Sequence, residues 1–264
     1  MKLYNGDCLE VMKELPDNSI DLCISSPPYN IGKSYNTYND TRKDYIDWSI
    51  QVWNEVCRLL KDNGHLFVNI QYQKNTPFDI YKIFDNINWK LQNSIIWAKA
   101  VEIDGYVRGY TTPHNSKRYL QNGWEHIFHF TKNGNTNIDL EYSSVPYNTD
   151  YNNAERNFKR SGRNWRPTTN AWHFTYKSKA TKEITKQIAG KVKHPAIFPE
   201  KLVAKCIKVS GLKKGVVLDN FMGTGTTGLV SQKYNLDFIG IEIDKEYYNF
   251  AKERIDEKLY NNTS

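Results

Sequence analysis

Apolar residues along this chain fall mostly into short, nearly unbroken runs. Most runs end in a turn and lead into a stretch with helical spacing. Ile20-Asp21-Leu22-Cys23-Ile24-Ser25, His65–Ile70, Leu91–Ala98, Trp124–Phe130, Gly215–Asp219 and Phe238–Glu242 read as strands. Runs of this length and apolarity suit strands covered on both faces. Residues 44–62 set Ile46, Ile50, Trp53, Cys57 and Leu60 at helical spacing, with Gly64 as the stop. Further helices are expected near Ile80–Ile87, through Leu202, Cys206 and Val209, from Thr226 or Thr227, and from Lys245 to about Leu259. Strand-then-helix alternation predicts an α/β fold with a mostly parallel, Rossmann-like sheet and helices on both faces. Residues 99–123, with Gly105, Gly109 and Pro113, read as a loop excursion. Periodicity then fades from Lys132 to about Pro199.

Two of these strands end in residues that carry chemistry. Directly after Ser25 comes Ser26-Pro27-Pro28-Tyr29. Consecutive prolines fix two φ angles and remove two N–H donors, so the carbonyls just before and between them stay rigid and unpaired. With a hydroxyl before and an aromatic ring after, the turn can accept from a planar amino group and stack on its heterocycle. It suits an exocyclic amine about to be alkylated; its bland alternative is a loop kink. After the Gly215–Asp219 run comes Asn220-Phe221-Met222-Gly223-Thr224-Gly225-Thr226-Thr227-Gly228, a G-x-G-x-x-G turn opening a helix. By itself that pattern also fits a dinucleotide site. Asp219 before the loop would repel a pyrophosphate but pair with an ammonium, and Glu242 is placed to accept from ribose hydroxyls. An ammonium, a ribose and no phosphate describe S-adenosyl-L-methionine.

With both motifs the chain resembles the DNA amino-methyltransferases that modify cytosine N4 or adenine N6. The catalytic motif comes first and the cofactor loop last, an order similar to the permuted β group of that family. The resemblance covers most of the chain. It implies a seven-stranded methyltransferase sheet carrying an inserted DNA-recognition region. Asp7 and Cys8, in Gly6-Asp7-Cys8-Leu9, resemble the segment that contacts the cofactor's adenine. Phe198, in His194–Pro199, resembles the segment beside its methionine end. The cofactor set is then Asp7, Cys8, Phe198, Asp219, Phe221, Gly223, Gly225, Thr226 and Glu242, with Ser26, Pro27, Pro28 and Tyr29 catalytic. Trp124–Lys132 resembles the strand before the target-recognition region. Ser26 leans the target toward cytosine N4, with adenine N6 as the alternative.

Charge adds the second partner. The 264 residues carry a formal net charge of +7. From Arg156 to Lys193 there are eleven Lys or Arg against one acid, Glu183, interleaved with Phe158, Trp165, Trp172, His173, Phe174 and Tyr176. A solvated face rarely mixes so many aromatics with so few acids, so the segment is expected to meet double-stranded DNA. Arg160, Arg163 and Arg166 around Trp165 are candidates for phosphate or guanine contacts, and Lys33 for a loop contact beyond Tyr29. Residues 1–133 and 194–264 are expected to form the catalytic and cofactor-binding domain, with 134–193 as the insert.

The remaining composition excludes classes. No stretch approaches the ~20 apolar residues of a membrane span, and Met1–Asp7 lacks the apolar core of a signal peptide. Cys8, Cys23, Cys57 and Cys206 have no C-x-x-C spacing and read as buried hydrophobes in a reducing compartment. A cytoplasmic enzyme without a metal is expected, with a homodimer and a cognate restriction endonuclease left open as partners. The competing readings are an RNA or protein-amide N-methyltransferase and a DNA-binding protein with a vestigial pocket. In the expected mechanism a flipped base stacks on Tyr29. Ser26 and a proline carbonyl localise the amine lone pair, and the proton leaves after methyl transfer.

Overall fold

The computed structural model describes residues 1–32, 40–72, 76–103, 106–109, 117, 120, 122–146, 158, 160–175 and 199–261. Lys33 and Phe198, both expected at the site, lie outside them. One mixed sheet organises the chain. Its strands are β1 (Lys2–Asn5), β2 (Ile20–Ser25), β3 (Leu60–Ile70), β4 (Lys90–Ile103), β5 (Tyr106–Gly109), β6 (Trp124–Thr131), β9 (Ala171–Thr175), β10 (Val216–Asp219) and β11 (Asp237–Glu242). The spatial order is β1-β11-β10-β2-β3-β6-β4-β5, with β9 also on β4. From β1 across to β3 every pairing is parallel, and β6 runs antiparallel between β3 and β4. The first seven positions give the expected seven-stranded sheet, and β5 and β9 extend its β4 edge. A separate two-stranded pair joins β7 (Val145–Pro146) to β8 (Trp165–Arg166).

Helices cover both faces. On one lie α1 (Cys8–Lys13), α2 (Tyr45–Leu59) and α3 (Asp79–Asp85), around a core that includes Met12, Trp53, Val56, Ile80 and Leu218. On the other lie α4 (Glu200–Ser210), α5 (Thr226–Lys233) and α6 (Lys245–Asn261), packed over Leu22, Ile24, Phe67, Val217 and Phe238. Residues of β2 alternate between the two cores, Ile20 and Cys23 facing one and Leu22 and Ile24 the other. That accounts for its unbroken apolar run. Among the described residues no helix is long and apolar enough to cross a membrane.

Four points differ from expectation. The buried stripe of α2 holds the expected Trp53 and Cys57 and widens through Tyr45, Trp48, Ser49, Val52 and Val56, with Ile46 and Ile50 half-buried against the same core. Gly64 does not stop the helix: α2 passes straight into β3 at Leu60, and a Cβ at Gly64 would come within 2.9 Å of the Lys61 carbonyl and 3.2 Å of that of Asp21. Residues 99–123 are not all loop. β4 continues to Ile103 and pairs antiparallel with β5. Val101 and Ile103 favour a strand, and Asp104-Gly105 is a hairpin turn sequence. Ala171–Thr175, within the expected insert, is a strand of the main sheet, with Trp172 buried opposite Trp97.

A buried histidine pair links β3 and β6. His65 Nδ1 lies 2.9 Å from His129 Nε2, and Asn93 Nδ2 lies 2.9 Å from His129 Nδ1. The Asn93 amide donates, so the remaining proton of His129 sits on Nε2 and points at His65. Burial pushes both imidazoles below the usual range, and for His129 the neighbouring His65 adds to it. Phe67 stacks on His129 at 4.2 Å between ring centres.

Candidate active site

The S-P-P-Y turn leaves β2 at its C-terminal end, between β10 and β3. Tyr45, at the start of α2, donates from its hydroxyl to the Pro28 carbonyl at 2.8 Å. The Pro27 carbonyl accepts no hydrogen bond from the described residues. Beyond Tyr29 the chain is stapled back on itself. Asn30, with φ of 55°, exchanges hydrogen bonds with the Arg42 backbone at 3.1 and 2.6 Å. Asp40, 1% exposed, accepts from the amides of Asn30 and Ile31 at 2.7 and 3.1 Å. The carboxylate thus fixes the exit path of the turn.

Tyr29 differs from its expected role. The side chain is 8% exposed and belongs to the core cluster, which leaves little ring face for a base to stack on. Its work here is polar. The hydroxyl lies 3.1 Å from Ser26 Oγ, 3.1 Å from Glu125 Oε2 and 3.4 Å from the Asn69 carbonyl. Glu125 Oε2 also accepts from Asn69 Nδ2 at 3.0 Å, and Oε1 pairs with Lys99 Nζ at 2.7 Å. Lys99, Asn69 and Glu125 were not expected at the site. Glu125 and Asn69 left a faint signal as an acid and an amide within strand runs, Trp124–Phe130 and Leu66–Ile70, and Lys99 left none.

The glycine loop sits at the end of the adjoining strand β10. Asp219 is 1% exposed, and its carboxylate faces inward: Oδ1 accepts from Ser25 Oγ at 2.7 Å and the Phe221 amide at 3.1 Å, Oδ2 from Thr227 Oγ1 at 2.6 Å. This differs from the expected ion pair with an ammonium, because three neutral donors already hold the group. Burial, only partly offset by those bonds, raises its pKa to about 6. Gly223 and Gly225 have φ of 52° and 79°, and Gly225 caps α5 without a side chain that would press on Ala251. Thr226, nearly buried, opens the helix. Arg254 of α6 donates to the Thr224 carbonyl at 2.7 Å and so holds the loop from behind.

Glu242 ends β11 beside that loop. Its Oε2 accepts from the Gly223 amide at 2.8 Å and its Oε1 from the Asp244 amide at 2.9 Å. Each oxygen keeps a second lone pair, which suits a vicinal diol. Burial pushes its pKa up to about 7. Phe221 is half-buried, 5.8 and 6.1 Å from the rings of Trp48 and Trp53. Asp7 caps α1 through Oδ1, accepting from the amides of Leu9 and Glu10, and Cys8 is buried at the helix start. β1 pairs with β11 from Lys2↔Ile239 to Asn5↔Glu242, so Asp7 follows the strand end next to Glu242. Hence the fold gathers the described members of the catalytic and cofactor sets along one end of the sheet.

A DNA methylase family model matches residues 20–253, nearly the whole of this sheet and both motifs. The chain belongs to the DNA methylase family. This methylase is 31% identical to the type II methyltransferase M.HpaI of Haemophilus parainfluenzae, over 98% of this chain and 75% of that one. It is 30% identical to the DNA adenine methyltransferase YhdJ of Escherichia coli K12, over 96% and 82%. Among solved structures, the cytosine-N4-specific PvuII DNA methyltransferase superposes with a TM-score of 0.71 at 20% identity, covering 98% of the methylase and 89% of that chain. The M1.HpyAVI–SAM complex superposes at 0.59 with 24% identity, over 96% and 98%. Both superpositions are likenesses of fold.

The methylase's expected DNA contacts lie in the segment that carries the β7–β8 pair. Arg160, Arg163 and Arg166 are exposed; the Arg163 guanidinium lies 4.9 Å above the Trp165 ring, and Trp165–Arg166 pairs with Val145–Pro146. β9 ties this segment to β4, with Phe174 opposite Lys99.

Proposed function

We propose that this methylase transfers the methyl group of S-adenosyl-L-methionine to the exocyclic amine of a base flipped out of double-stranded DNA. One observation carries the reading: the rigid S-P-P-Y turn and the glycine loop leave adjacent parallel strands and are joined by the Ser25–Asp219 hydrogen bond of 2.7 Å. The donor set fits the cofactor. Glu242 has lone pairs for two ribose hydroxyls, the remaining oxygen of Asp7 is a near acceptor, and the glycine turn lets a ligand approach the backbone. Bound there, the cofactor supplies an activated methyl on sulfur. The chain's own contribution is to orient and polarise. The amine's lone pair is delocalised into the base ring, and the Pro27 carbonyl and Ser26 Oγ, by accepting its two N–H hydrogens, would localise that pair toward the methyl. Positioning and fixed dipoles then carry most of the acceleration, and the proton leaves once the new bond has formed.

Recognition of DNA is assigned to residues 134–193, anchored by β9, with Arg160, Arg163, Trp165 and Arg166 on the nucleic acid and residues 1–133 and 194–264 forming the catalytic domain. Relatives that are type II methyltransferases support a cognate restriction endonuclease as partner and a cytoplasmic setting. Ser26 favours cytosine N4; the adenine methyltransferase among the relatives favours adenine N6 as the second reading. Methylated DNA, digested to nucleosides and read by mass spectrometry, is expected to contain N4-methyldeoxycytidine. N6-methyldeoxyadenosine alone would reverse the choice of base, and neither product would end the reading.

A further inference from the structure

Behind the S-P-P-Y turn lies a charge pair that the methyl-transfer reading does not use. Lys99 and Glu125 have side chains only 12% and 10% exposed, held 2.7 Å apart on neighbouring strands. A buried ion pair contributes little net stability against an apolar pair of equal volume, since desolvation offsets its attraction. What this pair does is give Glu125 Oε2 a fixed position. An ionised carboxylate only accepts, so Tyr29, 3.1 Å away, must donate its single proton there. Toward Ser26, also at 3.1 Å, the phenol oxygen is then left as the acceptor, and Ser26 donates to it. The Asn69 carbonyl, at 3.4 Å, is the weaker competitor for the phenol proton.

We propose that Glu125, held by Lys99 and Asn69, is a positioning residue that fixes the direction of the Tyr29–Ser26 hydroxyl chain, so that Ser26 Oγ meets the target amine with its lone pairs. A serine pointing its proton at the amine would instead draw on the lone pair needed for attack. This inference rests on the amine-methylation reading above and extends it to the residues that set the polarity of the motif.

The test is single-turnover and steady-state methylation of DNA by the full chain, with calorimetry of S-adenosyl-L-methionine to verify folding. Glu125→Gln should lower kcat by about tenfold or more, with KM for both substrates changed less than about twofold. The paired variant Lys99→Met with Glu125→Gln leaves no orphaned charge and should show the same loss. Tyr29→Phe should abolish the dependence: adding Glu125→Gln to it should change kcat less than about twofold. Losses that multiply in the double variant, or a paired variant with wild-type kcat, overturn the proposal while leaving the methylation reading intact. A wild-type chain that binds the cofactor but methylates no DNA overturns that reading and this inference with it.

Discussion

At the scale of single residues, the two carboxylates at the strand ends beside the glycine loop are held differently. Asp219 is enclosed by three donors, so Asp219→Ala orphans two hydroxyls and an amide, each at about 1–3 kcal/mol. The melting temperature should fall by several degrees, at roughly 2–4 °C per kcal/mol for a chain of this size. Asp219→Asn should lose stability and cofactor affinity together; affinity lost with stability intact in calorimetry would instead indicate a direct ion pair with the cofactor. In the proposed function Glu242 accepts from the ribose, and its pKa is raised to about 7 by burial. Ribose hydroxyls need the ionised form as acceptor, so affinity should rise with pH up to about 7 and level off above it. Below that value it should weaken by up to about tenfold per pH unit. Glu242→Gln should bind weakly with no such slope, as titrations between pH 6 and 8.5 would show. The acidic strand ends were legible in the sequence because an Asp or Glu closing an apolar run is a local signal. The inward turn of Asp219 was not, since it depends on Ser25, 194 positions away.

Among elements, the strands of the sheet's middle were the most legible and the helix faces less so. β2, β10 and β11 were readable nearly to the residue because both faces are covered and their runs are apolar throughout. In α2 the period was readable but the width of the buried face was not: Ile46 and Ile50 look as apolar as Trp48, and only the partners across the interface decide how deeply each is buried. Glu125 and Lys99 were hidden for a similar reason, being 26 positions apart and brought together by the register of β4 with β6. The β3–β6 histidine pair has its own consequence. Its folded-state pKa values lie below the unfolded one, so its contribution to stability is fully present above about pH 6.5 and lost as pH falls below that. The slope is up to about 1.4 kcal/mol per pH unit for each proton the unfolded chain takes up. Urea unfolding at pH 5 and 7 should show a smaller acid loss for His65→Phe with His129→Leu than for the wild type. The buried carboxyls Asp219 and Glu242, raised rather than lowered, act in the opposite sense in both proteins, so the difference isolates the imidazoles.

For the whole molecule, the proposed function gives the sheet and the basic segment different ligands. Replacing Arg160, Arg163 and Arg166 by Ala should weaken DNA binding and reduce its salt slope by about 0.9 for each phosphate no longer neutralised. Cofactor affinity should be unchanged, which filter binding at several salt concentrations and parallel calorimetry would measure. The placement of β2 between β3 and β10 also bears on how the protein is made. β3 follows β2 within a few dozen residues, but β10 is nearly two hundred residues further along the chain. At translation rates of about 5–20 residues per second, a ribosome exposes one side of the Ile20–Ser25 strand for roughly 10–40 s before its second neighbour emerges. Through that interval the nascent chain carries the whole S-P-P-Y turn but lacks the glycine loop and Glu242, so it is chemically silent. The same bare apolar edge is a template for pairing with another chain. Yield in a foreign host should therefore depend on temperature and chaperone supply, and a chain halted before residue 216 should be recovered in inclusion bodies.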